Sequence, residues 1–107
     1  MNPYINPIRE ITWYEEKTTF WRDFSITELA LGEGGVRNMY STLFAKHKDN
    51  YINLTELVMV LKYKYIRWNK SDPSLAKVYY SLWKRSYNFA NEQFNDTELS
   101  YFKKSVE

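Results

Sequence analysis

The sequence predicts an all-α protein, a compact single-domain bundle of about five helices. Apolar residues recur at intervals of three and four residues along most of the chain, which is the spacing of one helix face. Polar residues that cap helix N-termini precede several of these stretches, and we find neither an internal repeat nor a two-residue hairpin signal. With 107 residues the chain has room for one hydrophobic core. We therefore expect an N-terminal arm over residues 1–12 and one helical domain over residues 13–107.

The first two helices are predicted from capping-box patterns, in which a hydroxyl residue is followed three positions later by glutamate. Residues 12–15 have this pattern and predict a helix over about 13–24. Residues 25–28 repeat it and predict a short helix that ends at Gly32. All three glycines of the chain lie between Gly32 and Gly35, so this segment predicts a turn.

Further helices are predicted in the rest of the chain. Residues 36–47 have the apolar spacing of an amphipathic helix. Asn53 is the predicted cap of a helix over 54–69, and Asp72 followed by Pro73 predicts the start of a helix that continues to about Gln93. Residues 95–98 have the same pattern with asparagine in place of the hydroxyl residue, and predict a short C-terminal helix.

The helix predicted over residues 54–69 carries apolar residues on every side. Leu57, Leu61 and Tyr65 share one face, whereas Val60 and Tyr63 belong to the other. A helix of this kind is either central to its bundle or commits one face to a partner. In the second case the face that carries Tyr63 is exposed, and the Tyr63 ring and neighbouring Tyr and Arg side chains are available to a partner.

Composition argues against several kinds of protein. The chain has no cysteine, so it has no disulfide, thiolate nucleophile or cysteine-ligated metal. His47 is the only imidazole, which rules out a site with two histidine ligands. The glycine segment lacks the lysine and the hydroxyl residue of a phosphate-binding P-loop. We expect no catalytic residue, no metal and no cofactor, and hence a protein that is not an enzyme.

The early residues carry several charges and no long apolar run, so we expect neither a signal peptide nor a membrane span. We therefore expect a cytoplasmic protein. The net charge of +2 is too small for a general polyanion binder. Basic residues nevertheless concentrate between Lys62 and Arg85, where Asp72 is the single acid. The chain also has 4 Trp, 10 Tyr and 6 Phe residues, a type that concentrates in cores and at protein interfaces. We expect five residues to bind a partner, namely Tyr63, Arg67, Lys70, Lys77 and Lys84.

Nucleic-acid binding is the alternative. Residues 26–44 predict a helix, a glycine turn and a second helix, an order found in DNA-binding helix-turn-helix units. The second helix offers Arg37, Asn38, Ser41 and Thr42 to bases or phosphates. The basic stretch 62–85 is a second candidate, since its lysines could neutralise phosphates while its aromatic rings stack on bases.

Four segments resemble a family of small uncharacterised proteins carried by phages, plasmids and conjugative elements of Gram-positive bacteria. They are TFWRDFSI at 19–26, LTELVMVLKYK at 54–64, SLAKVYYSLW at 74–83 and ELSYF at 98–102. The resemblance implies the setting of a mobile genetic element. In that setting we expect a non-enzymatic interaction protein that binds a host or element protein. The most specific version of this expectation is inhibition of a host defence protein, such as a restriction or CRISPR nuclease. A less specific version is a homodimer. The alternative is a nucleic-acid-binding regulator of the element's own genes.

Overall fold

The computed structural model describes residues 18–106, which form four α-helices and contain no strand. The helices are α1 (Thr19–His47), α2 (Tyr51–Trp68), α3 (Pro73–Gln93) and α4 (Asp96–Val106). The predicted all-α bundle is confirmed. The predicted arm over 1–12 and the predicted cap at 12–15 lie outside the described residues. No helix in the described part of the chain is both long and apolar enough to cross a membrane.

Helix α2 is the central helix of the bundle. It contacts α1, α3 and α4. Leu57 and Leu61 on its first face and Val60 on its second face are fully buried. Of the two alternatives for its all-round apolar pattern, the structure shows the central position, because both faces pack against the rest of the chain.

Two of the predicted helix starts are confirmed in atomic detail. The Asp72 carboxylate accepts a hydrogen bond from the Leu75 amide at 3.1 Å, and Pro73 occupies the first turn of α3. At the start of α4, the Glu98 amide donates to the Asn95 side chain at 2.9 Å while the Asn95 amide donates to Glu98 at 3.2 Å. These reciprocal bonds are those of a capping box, and they satisfy amides that have no partner within the helix.

Helix α2 begins one turn earlier than predicted. Asn50, not Asn53, is its N-cap, and the Asn50 side chain accepts from the amides of Ile52 and Asn53, both at 3.1 Å. Asparagine stands at both positions, so the residue type alone did not separate them. The start at Tyr51 brings its ring within 5.4 Å of the Tyr101 ring in α4, a contact that only the folded chain provides.

The helix start predicted at Ser25 is wrong, because α1 is already helical from Thr19. The Ser25 hydroxyl donates to the Trp21 carbonyl at 2.8 Å, and the Thr27 hydroxyl donates to the Asp23 carbonyl at the same distance. Both side chains therefore bond back to the preceding turn and do not cap free amides. Serine and threonine within a helix often do this.

Gly32 interrupts α1 at the predicted helix end, but the turn predicted over Gly32 to Gly35 is wrong, because only Gly32 is non-helical and residues 33–35 belong to α1. Gly32 has φ of 65° and ψ of −150°, a conformation that side chains with a Cβ rarely adopt, and it kinks α1. Past the kink, Gly35 packs so tightly that an added Cβ would lie 2.4 Å from the Leu31 Cβ and 2.8 Å from the Thr27 Cγ2. We call the segment 29–35 the elbow of α1.

Candidate functional site

Three aromatic rings meet where the C-terminal half of α2 faces the N-terminal half of α3. The centroids of Tyr65 and Tyr80 are 5.5 Å apart, those of Tyr80 and Trp83 are 5.7 Å apart, and those of Tyr65 and Trp83 are 6.4 Å apart. A cavity of about 220 Å³ opens beside them, lined by Tyr65, Asn69, Pro73, Ala76, Lys77 and Tyr80. We call the three rings and this cavity the aromatic groove.

The residues at the start of α3 determine which side chains line the groove. The Asp72 cap and Pro73 fix where α3 begins, and the buried Ala76 occupies the wall of the cavity with only a methyl group. Tyr80 follows Lys77 by three residues and precedes Lys84 by four, so the three share one stripe of the helix. All three are exposed, which puts an aromatic ring between two cations at the surface.

The sequence-predicted site residues separate into two groups. The structure brings Lys77 to the aromatic groove, because it lines the cavity, whereas Lys84 is exposed one turn beyond Tyr80 on the same stripe of α3. Lys70 is exposed in the turn between α2 and α3. Arg67 is exposed in the last turn of α2, where its guanidinium carbon lies 5.7 Å from the Trp68 ring centroid. Their role in partner binding stays a prediction.

The expectation that Tyr63 is an exposed platform is wrong. Its side chain is only 8% exposed. The physical reason is the central position of α2, since the second face of this helix packs inside the bundle and is not left open. If Tyr63 acts in partner binding, it does so from within the fold.

The basic run at the end of α2 is not one solvated face. Lys64 is 1% exposed, and Lys62 is half-buried, with its ammonium group donating to the Val106 carbonyl at 3.1 Å. The stretch 62–85 therefore does not present all of its lysines at the surface, because Lys64 is buried and Lys62 bonds to the chain. Their charges are used within the chain, whereas those of Lys70, Lys77 and Lys84 point to solvent-accessible positions.

A buried polar cluster behind the groove holds α1, α2 and α3 together. The Glu28 carboxylate oxygen Oε1 lies 3.0 Å from the Lys64 ammonium, and it also accepts from the Trp68 indole at 3.2 Å and from the Tyr79 hydroxyl. Lys64 in turn donates to the Ser25 hydroxyl at 2.6 Å. Burial, and then the adjacent Glu28 charge, raises the pKa of Tyr79 far above its ordinary range. The cluster is enclosed, so we assign it to positioning the helices that carry the groove.

Sequence reasoning missed Tyr80 and Glu28. The signal for Tyr80 was present in its spacing between Lys77 and Lys84, which places it on the exposed stripe of α3. For Glu28 the signal was its position four residues after Phe24, on a stripe that faces the core. An acid at a core-facing position predicts a buried basic partner, since isolated buried charges are very costly.

The unit over residues 26–44 differs from a helix-turn-helix. A single residue, Gly32, breaks α1, where a helix-turn-helix has a turn of three or four residues. Arg37, Asn38, Ser41 and Thr42 are exposed as expected, but Arg37 is the one cation among them. Few phosphate contacts can therefore come from this surface.

Within residues 18–106 no three His, Asp or Glu side chains lie close enough together to hold a metal ion. Comparison of this chain with protein-family models, curated proteins and solved structures finds no match. The aromatic groove and the lysines beside it are therefore the features on which a functional conclusion depends.

Proposed function

We propose that this protein is a non-enzymatic interaction protein that binds a protein partner through the aromatic groove. The observation that carries the proposal is Tyr80, which is 43% exposed and stands between Lys77 and Lys84 beside a cavity. Tyr and Trp residues at the centre of a patch, with charged residues at its rim, are typical of the side chains that dominate binding energy in protein interfaces.

The size of the cavity favours a side chain of a protein over a free small molecule. Pockets that enclose drug-sized ligands usually measure about 300–1,000 Å³. The cavity in the groove measures about 220 Å³, which suits one apolar or aromatic side chain of a partner. Tyr65 and Tyr80 would then pack on either side of that inserted side chain.

The charges indicate the chemistry of the partner's rim. Lys77 and Lys84 are exposed on one stripe of α3, and Lys70 lies in the turn that precedes this helix. Acidic side chains around the inserted residue would complement these cations. Such rim charges contribute more to the association rate and to specificity than to affinity, so Tyr80 should contribute the larger share of the affinity.

The sequence resemblance to proteins of phages, plasmids and conjugative elements supports a setting for this activity. In that setting the partner is a host or element protein, and inhibition of a host defence protein such as a restriction or CRISPR nuclease is the form we propose. The support here is the resemblance of the four sequence segments and not the geometry of the groove. Identification of the partner is therefore the direct test.

Nucleic-acid binding is the second candidate, since the stripe of Lys77, Tyr80 and Lys84 offers phosphate contacts on both sides of a ring. The arrangement of the rings argues against it. The Tyr80 and Trp83 planes meet at 89°, and Tyr65 is tilted by 47° from Tyr80. The rings cover one another and do not form a row of open faces on which successive bases could stack.

Affinity capture from the native host, with the full chain as bait, tests the proposal when paired with matched variants. We expect Tyr80→Ala to weaken binding of the specific partner at least about tenfold, since an interface hot spot contributes about 2 kcal/mol or more and each 1.4 kcal/mol is about tenfold. Tyr101→Ala is the control, because Tyr101 in α4 is 44% exposed against 43% for Tyr80. Equal effects of the two substitutions would count against the groove.

Salt titration separates the two candidates. Binding to single-stranded DNA that neutralises several phosphates weakens steeply as salt rises, whereas an interface anchored by an aromatic residue responds little. We expect Lys77→Ala with Lys84→Ala to slow association with the protein partner and to leave most of the affinity intact. Tight, strongly salt-dependent binding to DNA that Tyr80→Ala abolishes would favour the nucleic-acid function instead.

A further inference from the structure

One side of α2 carries an apolar stripe that lies away from the aromatic groove. It consists of Met59, Tyr63 and Ile66, which we call the outer stripe. These residues are spaced by four and three positions, so they follow one another along the same side of the helix. Arg67 is exposed beside the stripe, in the last turn of α2.

The helices that contact α2 lie on its other sides. Lys64 of α2 pairs with α1, Tyr65 contacts a ring of α3, and Lys62 donates to a carbonyl of α4. Successive residues of an α-helix are turned by about 100°. Tyr63 therefore points about 100° away from Lys62 and from Lys64, and about 160° away from Tyr65. The outer stripe faces none of these three helices.

The outer stripe is nevertheless covered. Tyr63 is only 8% exposed, and Met59 and Ile66 are half-buried. Met59, Tyr63 and the neighbouring Arg67 each have an interaction partner. Burial of this extent within one chain requires cover from that same chain, and a side of a helix turned to water would leave all three residues of the stripe more exposed. The cover therefore comes from a segment other than these helices.

We propose that residues 1–17 dock on the outer stripe. They are the longest part of the chain outside the four helices. Thr18, the residue that follows them, is 5% exposed, so the chain enters α1 against the surface of the bundle and not from open solvent. A second copy of the chain is not needed as the occupant, because the stripe is already buried within one copy.

The start of α1 lies within reach of the outer stripe. The Phe20 ring centroid is 5.1 Å from that of His47, and the His47 Nδ1 is 3.3 Å from the Asn53 Nδ2, so α1 begins beside the first turns of α2. From Asn53 to Ile66 the axis of α2 advances about 20 Å. An extended segment of the length of residues 1–17 spans up to about 56 Å, which is enough to follow the stripe.

The composition of residues 1–17 suits this surface. Three isoleucines and three aromatic residues supply apolar side chains, namely Ile5, Ile8, Ile11, Tyr4, Trp13 and Tyr14. Three acids against two bases give the segment a net negative charge, which complements the Arg67 guanidinium beside the stripe. Because Tyr65 points to the opposite side of α2, the docked segment leaves the aromatic groove open to a partner.

A nitroxide label tests the proposal in the full chain, which has no native cysteine and so takes the label at one introduced position. With the label at Asn6→Cys or at Thr12→Cys, NMR should show broadened methyl signals of Met59 and Ile66, and reduction of the nitroxide should restore them. Leu29 is the control, because it is 91% exposed at the elbow of α1. Unchanged Met59 and Ile66 signals with both labels, or stronger broadening of Leu29, would overturn the proposal.

Charged substitutions within the segment give a second readout. Ile8→Lys with Ile11→Lys should lower the melting temperature by at least about 4 °C, because the outer stripe loses its apolar cover. Leu29→Lys also introduces a charge at an apolar residue, but one that is already in water, and should leave the melting temperature nearly unchanged. Equal melting temperatures of the double variant and the wild type would contradict docking of residues 1–17.

Discussion

Lys64 and Glu28 form an ion pair inside the bundle, with the ammonium nitrogen 3.0 Å from the carboxylate oxygen and the two side chains only 1% and 9% exposed. The same oxygen accepts hydrogen bonds from Trp68 and Tyr79. One carboxylate therefore joins α1 to both α2 and α3, the helices that carry the aromatic groove. The helices that line the groove therefore share one buried contact.

Removal of the Glu28 charge should destabilise the protein strongly. Glu28→Gln leaves the buried Lys64 ammonium without an opposite charge, and the loss of one partner of a buried pair typically costs about 3–5 kcal/mol. Urea denaturation followed by circular dichroism measures the free energy of unfolding. A loss at or above about 3 kcal/mol is the expected result.

The double variant Glu28→Gln with Lys64→Met is the matched comparison. It removes both charges, so we expect it to be more stable than Glu28→Gln alone. Glu92→Gln, at an exposed position of α3, controls for the loss of a negative charge and should change the free energy of unfolding by less than about 0.5 kcal/mol. Equal losses in the single and double variants would show that the ion pair is not the origin of the effect.

The two neighbouring glycines of the elbow should respond in opposite directions to alanine. Gly35→Ala places a Cβ 2.4 Å from the Leu31 Cβ, so the two segments of α1 must move apart at a cost of about 1–3 kcal/mol. Gly34→Ala meets nothing within 4 Å and should be neutral, or stabilising by up to about 1 kcal/mol. Thermal and urea denaturation of the two variants decide the matter, and an equal effect would contradict the close approach at Gly35.

Local side-chain chemistry explains which parts of the fold the sequence predicted. Asp72 and Asn95 cap helices through bonds to amides three residues away, so their effect can be recognised within a few residues. Ser25 has the same chemistry, but its hydroxyl has a second option within a helix, and the choice depends on whether the preceding turn is already helical. That information lies outside the local pattern.

Long-range contacts explain why the candidate site was predicted only in part. The spacing of Lys77 and Lys84 puts them on one stripe of α3 whatever the tertiary fold, and Lys77 does line the cavity of the groove. The burial of Lys64 depends on Glu28, which lies 36 positions earlier in α1. The burial of Tyr63 follows from contacts with the rest of the folded chain. Neither can be derived from the helical pattern of α2 alone.

Two buried tyrosines should make the protein less stable at alkaline pH. Burial raises the pKa of Tyr40, and burial followed by the Glu28 charge raises the pKa of Tyr79. Below about pH 10 these phenols are protonated in both the folded and the unfolded chain. Above it only the unfolded chain releases their protons, so the free energy of unfolding falls as pH rises, by about 1.4 kcal/mol per pH unit for each tyrosine.

Urea denaturation at several pH values around and above 10 measures this slope, and Tyr79→Phe tests its origin. Phenylalanine does not titrate, so the variant should lose stability less steeply with pH than the wild type, even though it lacks the hydrogen bond to Glu28. Tyrosinate absorbance offers a second readout, since the buried phenols should ionise only as the chain unfolds. A slope that Tyr79→Phe leaves unchanged would contradict the assignment.

Trp68 and Trp83 provide a final matched pair, since both indoles are half-buried but only one has a hydrogen-bond acceptor. The Trp68 Nε1 donates to Glu28 at 3.2 Å, whereas the Trp83 Nε1 is buried without a partner in the described part of the chain. Replacement by phenylalanine removes the same volume at both positions, so the losses of packing are comparable. Trp68→Phe also deprives the buried Glu28 carboxylate of a donor, whereas Trp83→Phe removes an N–H group that is costly to bury. We therefore expect Trp68→Phe to destabilise the protein by about 1–2 kcal/mol more than Trp83→Phe in urea denaturation, and the reverse order would contradict the role of Glu28 as the acceptor.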